Sequence, residues 1–134
     1  MSQYMLLVYQ EELDEAGQAE RERQLPAIVE LHRSLHEAGL LVGVQALRST
    51  ESATSIRVRG GEAEITDGPF AVTKEVLAGY YVLECADLDE ALKQAERLPM
   101  AGWGTVEVRP VVPLEEWQRL ARENGAEEDV IYGP

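Results

Sequence analysis

Hydrophobic and polar positions along the chain fall into segments of alternating period, and the period names the element. "QYMLLVYQ" (3–10) is a short apolar run bounded by polar residues and predicts a buried strand. "EELDEAGQAERERQ" (11–24) is polar throughout and predicts a loop leading into a helix. In "PAIVELHRSLHEAG" (26–39) the period changes to about 100° per residue. Ile28, Leu31, Leu35 and Ala38 then share one face, opposite Glu30, Arg33, Ser34 and Glu37. Pro26 suits the first turn of this helix and Gly39 its C-terminal cap.

"LLVGVQALR" (40–48) predicts a second strand. "TSIRVRGGEAEIT" (54–66) then carries the sharpest local signal. A two-residue loop at Gly60-Gly61 makes a primed-turn hairpin. Counting outward pairs Arg59 with Glu62, Val58 with Ala63, Arg57 with Glu64 and Ile56 with Ile65. Opposite charges fall on one face and apolar pairs on the other, as cross-strand pairing favours. "LAGYYVLECA" (77–86) predicts a strand rich in aromatic and branched residues. "DLDEALKQAERLP" (87–99) predicts a helix with Asp87 and Glu90 in capping-box positions, Leu88, Ala91, Leu92 and Ala95 on one face, and Pro99 at its end. "GTVEVRPVV" (104–112) predicts a last strand at a sheet margin. Residues 113–134 predict a short helix and an acidic tail.

This order predicts one α+β domain over 1–134 with a ferredoxin-like β-α-β-β-α-β chain and a hairpin extension. Its helices cover one sheet face. The other face alternates apolar and polar residues, and a second copy related by two-fold symmetry would cover it.

Charge narrows the partners. Twelve Lys and Arg stand against 25 Asp and Glu, a net charge of −13. Nucleic acids and anionic membrane surfaces are bound through cationic side chains, so neither is an expected partner. The apolar run at the start is too short for a signal peptide, and no stretch reaches membrane-spanning length. The single Cys85 excludes an intrachain disulfide and fits a reducing cytoplasm.

The strings "YMLLVY", "LHEAGLLVGVQAL", "TDGPFAVTKEVLAGYYVLE", "LDEALKQAERLP" and "VEVRPV" resemble the YCII-related, DGPF-domain proteins over roughly residues 3–112. The resemblance implies a dimeric α+β barrel, in which two ferredoxin-like sheets pack face to face, and a small cytoplasmic bacterial protein. It also implies a regulatory alternative, because some members are encoded beside extracytoplasmic-function sigma factors. The broader family's proposed His-Asp dyad places a His where this chain has Ala27-Ile28-Val29, so that dyad is not carried over.

The candidate chemistry is a set of charged and aromatic groups. Asp67, in Asp67-Gly68-Pro69-Phe70, either closes an Asx-type turn or acts as a general base on a stiff loop that Phe70 anchors in the core. Glu107 and Arg109 share one strand face. Arg109 is either half of a structural ion pair, with Glu107, Glu84 or an acid of a second subunit, or an anchor for a carboxylate or phosphate. Lys74 either pairs in solvent with Glu75 or reaches over a cavity. Tyr80 and Tyr81 point to opposite faces, and Tyr81 is chosen to line the cavity. His32 and His36 sit four apart, but His32 lies on the apolar side between Ile28 and Leu35 and reads as a satisfied, half-buried histidine. The leading expectation is a homodimer binding a small polar molecule between its sheets through Asp67, Arg109, Glu107, Lys74 and Tyr81, without a cofactor. One alternative is an acid–base enzyme, isomerase- or lyase-like, acting on a small organic acid; the other is a non-catalytic accessory of a sigma factor.

Two histidines without a third ligand at a recognisable spacing make a poor metal site. Elemental analysis of the purified protein is therefore expected to find no stoichiometric zinc or iron. One metal ion per chain, lost on His32→Ala, would contradict this.

Overall fold

The structure is a computed structural model, and residues 1–127 are described below. The chain runs β1 (Ser2–Gln10), α1 (Glu15–Glu22), α2 (Leu25–Glu37), β2 (Leu41–Ala46), β3 (Thr54–Arg59), β4 (Glu62–Asp67), β5 (Val76–Cys85), α3 (Leu88–Glu96), β6 (Thr105–Pro110) and α4 (Leu114–Glu123), with 3₁₀ turns at Thr50–Ser52 and Pro99–Gly102. Four strands form one antiparallel sheet in the order β2-β5-β1-β6, which is the ferredoxin-like arrangement. β3 and β4 form a separate two-stranded sheet. No described helix is long and apolar enough to cross a membrane. The last part of the expected acidic tail, 128–134, lies outside the described residues.

Alternation along the strands decides which residues meet the helices. Tyr4, Leu6 and Val8 on β1 and Tyr81, Leu83 and Cys85 on β5 point to one side, where they pack with Leu31 and Leu35 of α2 and Ala91 and Ala95 of α3. Val106 and Val108 of β6 join them. Leu6, Leu35 and Leu83 are completely enclosed, each contributing about 1.5–3 kcal/mol by leaving water. Small Ala91 and Ala95 let α3 approach the sheet closely. The opposite face carries Met5, Leu7 and Tyr9, cross-strand from Val82, Tyr80 and Leu77 on one side and from Arg109, Glu107 and Thr105 on the other. None of the core-forming helices covers it.

The hairpin register matches the expected one at every pair from Arg59↔Glu62 to Ile56↔Ile65, with Gly60 and Gly61 both at positive φ. Asp87 caps α3 by accepting from the Glu90 amide at 2.9 Å. The segment 11–24 differs from its reading as a loop, since it contains α1. Asp14 caps this helix by accepting from the Gly17 amide at 2.8 Å, Glu15 occupies its first turn and Arg21 its last, as the helix dipole favours. Phe70 also differs. It is 80% exposed, and Val72 beside it is 98% exposed, so the loop is not pinned to the core of its own chain. The loop instead closes through the backbone: the Gly68 amide donates to the Ala53 carbonyl at 2.7 Å, and the Ser55 hydroxyl to the Gly68 carbonyl at 2.8 Å.

Glu12 ties the loop after β1 to the connection after β2. Its carboxylate accepts from the Thr50 amide at 2.8 Å and from the hydroxyls of Thr50 and Ser49. The Thr50 hydroxyl bond, followed by the Thr50 amide bond, holds its pKa below the ordinary 4.5. This tie stabilises the fold above that value and is lost as pH falls below it.

Two irregularities interrupt the sheet, one in the β2–β5 ladder between Leu41 and Gly43 and one in the β1–β5 ladder. The β1–β5 register shifts between Val8 and Tyr9, leaving Ala78 as an extra residue in β5. The neighbouring Gly79 sits under β2 so closely that a Cβ there would lie 2.5 Å from the Gln45 carbonyl oxygen. Gly79→Ala is expected to lower stability by about 1–3 kcal/mol through forced separation of β2 from β5. Urea denaturation checks this; an unchanged midpoint would contradict the close approach.

Candidate functional site

Bulge and glycine together open a space on the helix side of the sheet. Beneath α1 and the start of α2 lies a cavity of about 380 Å³, walled by β1, β2, β5 and the turn before β6. A volume of this order suits a small ligand. Its apolar lining includes Val8, Ile28, Val44 and Met100, and its polar lining includes Gln10, Arg21, Glu22, His32, Tyr81 and Trp103.

His32 and Tyr81 form the centre of the polar wall. His32 Nε2 lies 2.7 Å from the Tyr81 hydroxyl, and the rings meet edge to face at 5.3 Å between centroids. The helical period puts His32 on the sheet-facing side of α2, next to Leu31 and Leu35, while strand alternation puts Tyr81 beneath it. Burial pushes both groups toward neutrality. His32 is held below its ordinary 6.5, and Tyr81 is pushed up to about 12. At neutral pH the pair is thus an uncharged imidazole and an uncharged phenol. With the proton on Nδ1, the phenol donates to Nε2 and its oxygen accepts from a ligand. With the proton on Nε2, the imidazole donates to the phenol, and both the Nδ1 lone pair and the phenolic hydrogen are left to meet one. The second arrangement is a general base beside a hydrogen-bond donor.

A second cluster lies at the other end of the wall. Arg21 donates to Gln10 Oε1 at 3.2 Å, and the Trp103 indole N–H donates to the same oxygen at 3.3 Å. The guanidinium carbon lies 3.8 Å from the Trp103 ring centroid, a cation–π contact. Three distant segments, the end of β1, the last turn of α1 and the turn before β6, meet at one amide oxygen.

Of Asp67, Lys74, Tyr81, Glu107 and Arg109, Tyr81 lines this cavity, together with His32 and Tyr80, although strand alternation turns the Tyr80 side chain to the open face. Glu107 and Arg109 also lie on the open face, where the Tyr9 hydroxyl donates to Glu107 at 3.4 Å. Arg109 makes no ion pair with Glu107 or Glu84 among the described residues. Lys74 pairs with Glu11 at 3.5 Å, both exposed, and Glu75 instead accepts from the Thr105 hydroxyl at 2.9 Å. Asp67 stands exposed at the foot of the hairpin. These residues do not converge within one chain. Gln10, Arg21 and Trp103 were not singled out from the sequence. Asp14 followed by Glu15, with Arg21 and Arg23 a turn or two later, is the signal that marks α1 and so delivers Arg21. Among the described residues, no group of three or more His, Cys, Asp or Glu gathers as a metal site.

Neutral His32 sets a pH dependence. In the unfolded chain His32 takes up a proton at its ordinary 6.5, whereas in the folded chain it resists protonation until lower pH. Between the two values the unfolded chain binds more protons, so this contribution to stability is full above 6.5 and is lost as pH falls through the folded value. Urea midpoints measured across that window are expected to fall less steeply in His32→Gln than in the wild type. Parallel curves would show that His32 is not shielded. Tyr81→Phe is expected to cost about 1 kcal/mol at neutral pH through loss of the bond to His32.

A family model described as YCII-related domain matches residues 2–115 of the chain. The chain is also similar to an uncharacterized protein of Rhizobium meliloti (strain 1021), 40% identical over 112 residues that cover 81% of this chain and 90% of that protein.

Proposed function

The chain belongs to the YCII-related family, and from that footing we propose that it binds a small molecule in the helix-side cavity of each protomer of a homodimer. The observation that carries the reading is the His32–Tyr81 bond of 2.7 Å at the wall of a cavity of about 380 Å³. A partly buried pair of polar groups that is neutral at pH 7, with hydrogen-bonding capacity left over, is what orients a small ligand in a pocket with apolar walls. Acid–base catalysis at the same place is an extension of this reading, with His32 as the base and Tyr81 as the donor.

The open sheet face supports the dimer. Met5, Leu7, Tyr9, Leu77 and Tyr80 form a partly exposed band that no core-forming helix covers, and apolar bands on one face mark association surfaces. A second copy packed there encloses Glu107 and Arg109 between the sheets. Among the described residues Arg109 makes no salt bridge, which supports an inter-sheet site for a polar molecule as a second reading. In that reading Asp67 and Lys74, on the hairpin and the loop that follows it, stand at the rim.

Sedimentation at micromolar concentration is expected to give about 30 kDa, twice the 14.9 kDa chain, with Leu7→Glu shifting the protein to monomer. A wild-type monomer would overturn the dimer. A small-fragment screen read by amide chemical shifts separates the two sites. Shifts at His32, Val44, Tyr81 and Trp103 support the helix-side cavity, and shifts at Tyr9, Glu107 and Arg109 support the inter-sheet one. A screen without shifts at the first group would overturn the leading reading.

A further inference from the structure

The polar residues of the cavity differ in what they lack. His32 and Tyr81 bond to each other, the Trp103 indole donates to Gln10, and among the described residues Arg21 makes one hydrogen bond with its five donor hydrogens. In a chain with 25 carboxylates this is unusual. The carboxylates nearest in sequence go elsewhere or stay apart: Glu20 pairs with Arg23 at 2.6 Å, and Glu22 makes no salt bridge to Arg21 although it lines the same cavity. Desolvation is the foremost influence on Arg21 and lowers its pKa, the charge of Glu20 acts against it, and among the described residues no carboxylate forms a salt bridge with the guanidinium.

The guanidinium is also held still. Its face rests on the Trp103 ring at 3.8 Å, and one edge is fixed by Gln10, which the Trp103 indole fixes in turn. A planar fork immobilised in this way has already lost the rotamer freedom that binding would otherwise cost, and its geometry matches a carboxylate through two parallel hydrogen bonds. The same cavity is also lined by apolar Leu25, Ile28, Val44 and Met100 and by His32 and Tyr81.

Resting on the reading of this cavity as a ligand site, we infer that Arg21, Gln10 and Trp103 form a carboxylate subsite, and that the ligand is a small organic acid with an apolar body. The carboxylate pairs with the Arg21 fork, the body lies along Ile28, Val44 and Met100, and a polar group at the far end meets the His32–Tyr81 pair. Trp103 contributes by positioning the guanidinium. The overall charge of −13 disfavours anions at long range, so recognition depends on this local, partly desolvated cation and is relatively insensitive to salt.

The probes are benzoate and phenylacetate, with benzamide and phenylacetamide as neutral counterparts of matched shape, titrated into the intact protein. The Trp103 indole N–H and the Arg21 side-chain N–H resonances report binding. The acids are expected to move both signals and to bind about tenfold or more tightly than the amides. Arg21→Gln is expected to remove that preference, and Arg21→Lys to retain only part of it, because a point charge lacks the fork. Inorganic phosphate, which has the charge without the apolar body, is expected to bind more weakly than phenylacetate. Amides that bind as well as acids would overturn the carboxylate subsite and leave the cavity as a ligand site intact. Phosphate binding as tightly as phenylacetate would overturn the apolar body. Absence of any shift with all four organic probes would overturn the subsite together with the reading it rests on. The acid-against-amide comparison in the unaltered protein stands even if a variant fails to fold.

Discussion

The pairing of β1 with β5 is the constraint on which the other features depend. Its alternation sends Leu6, Val8, Tyr81 and Leu83 toward the helices and Met5, Leu7, Tyr80 and Val82 away from them. A one-residue slip would exchange the two sets and leave the helices facing the wrong side chains. The departure from regular β1–β5 pairing, the extra residue at Ala78, falls beside Gly79, where β2 approaches closely. The helix-side cavity sits against this point. Interior packing elsewhere is governed by residues as small as Ala91 and Ala95, so the space under α1 reflects the bulge and the helix spanning it rather than loose packing in general.

Where a residue's neighbours in sequence are also its neighbours in space, the sequence discloses the structure. The hairpin is the clearest case, since Gly60-Gly61 fixes the turn and every pair follows by counting. The Asp87 cap and the apolar face of α2 were equally legible, because each depends on positions three or four apart. α1 was obscured because it has no buried residue to create a period. Its evidence lay in Asp14 and the charge order, which a run of Glu and Arg hides. Phe70 was assigned to the core on hydrophobicity alone, and a loop closed by backbone bonds at Gly68 does not require that anchor.

The candidate site was legible only in part, for a related reason. Tyr81 and His32 could each be placed on a face from sequence, but their meeting depends on how α2 crosses β5. Trp103 is separated from Gln10 and Arg21 by most of the chain, and the three belong to no motif. What joins them is one amide oxygen that accepts from two different side chains, an arrangement set by tertiary geometry.

The β3–β4 hairpin divides the molecule thermodynamically. Its residues are nearly all exposed, its ladder is separate from the main sheet, and its foot is closed by Gly68 with Ala53 and Ser55. Two strands alone hold little stability in water, so the arm opens at a lower free energy than the four-stranded sheet and constitutes a cooperative unit of its own. Its amides exchange with solvent through that local opening, while those of β1 and β5 wait for the whole domain to unfold. A hairpin with Ile56 and Ile65 both largely exposed on one side is thus the segment whose order responds first to anything that covers it.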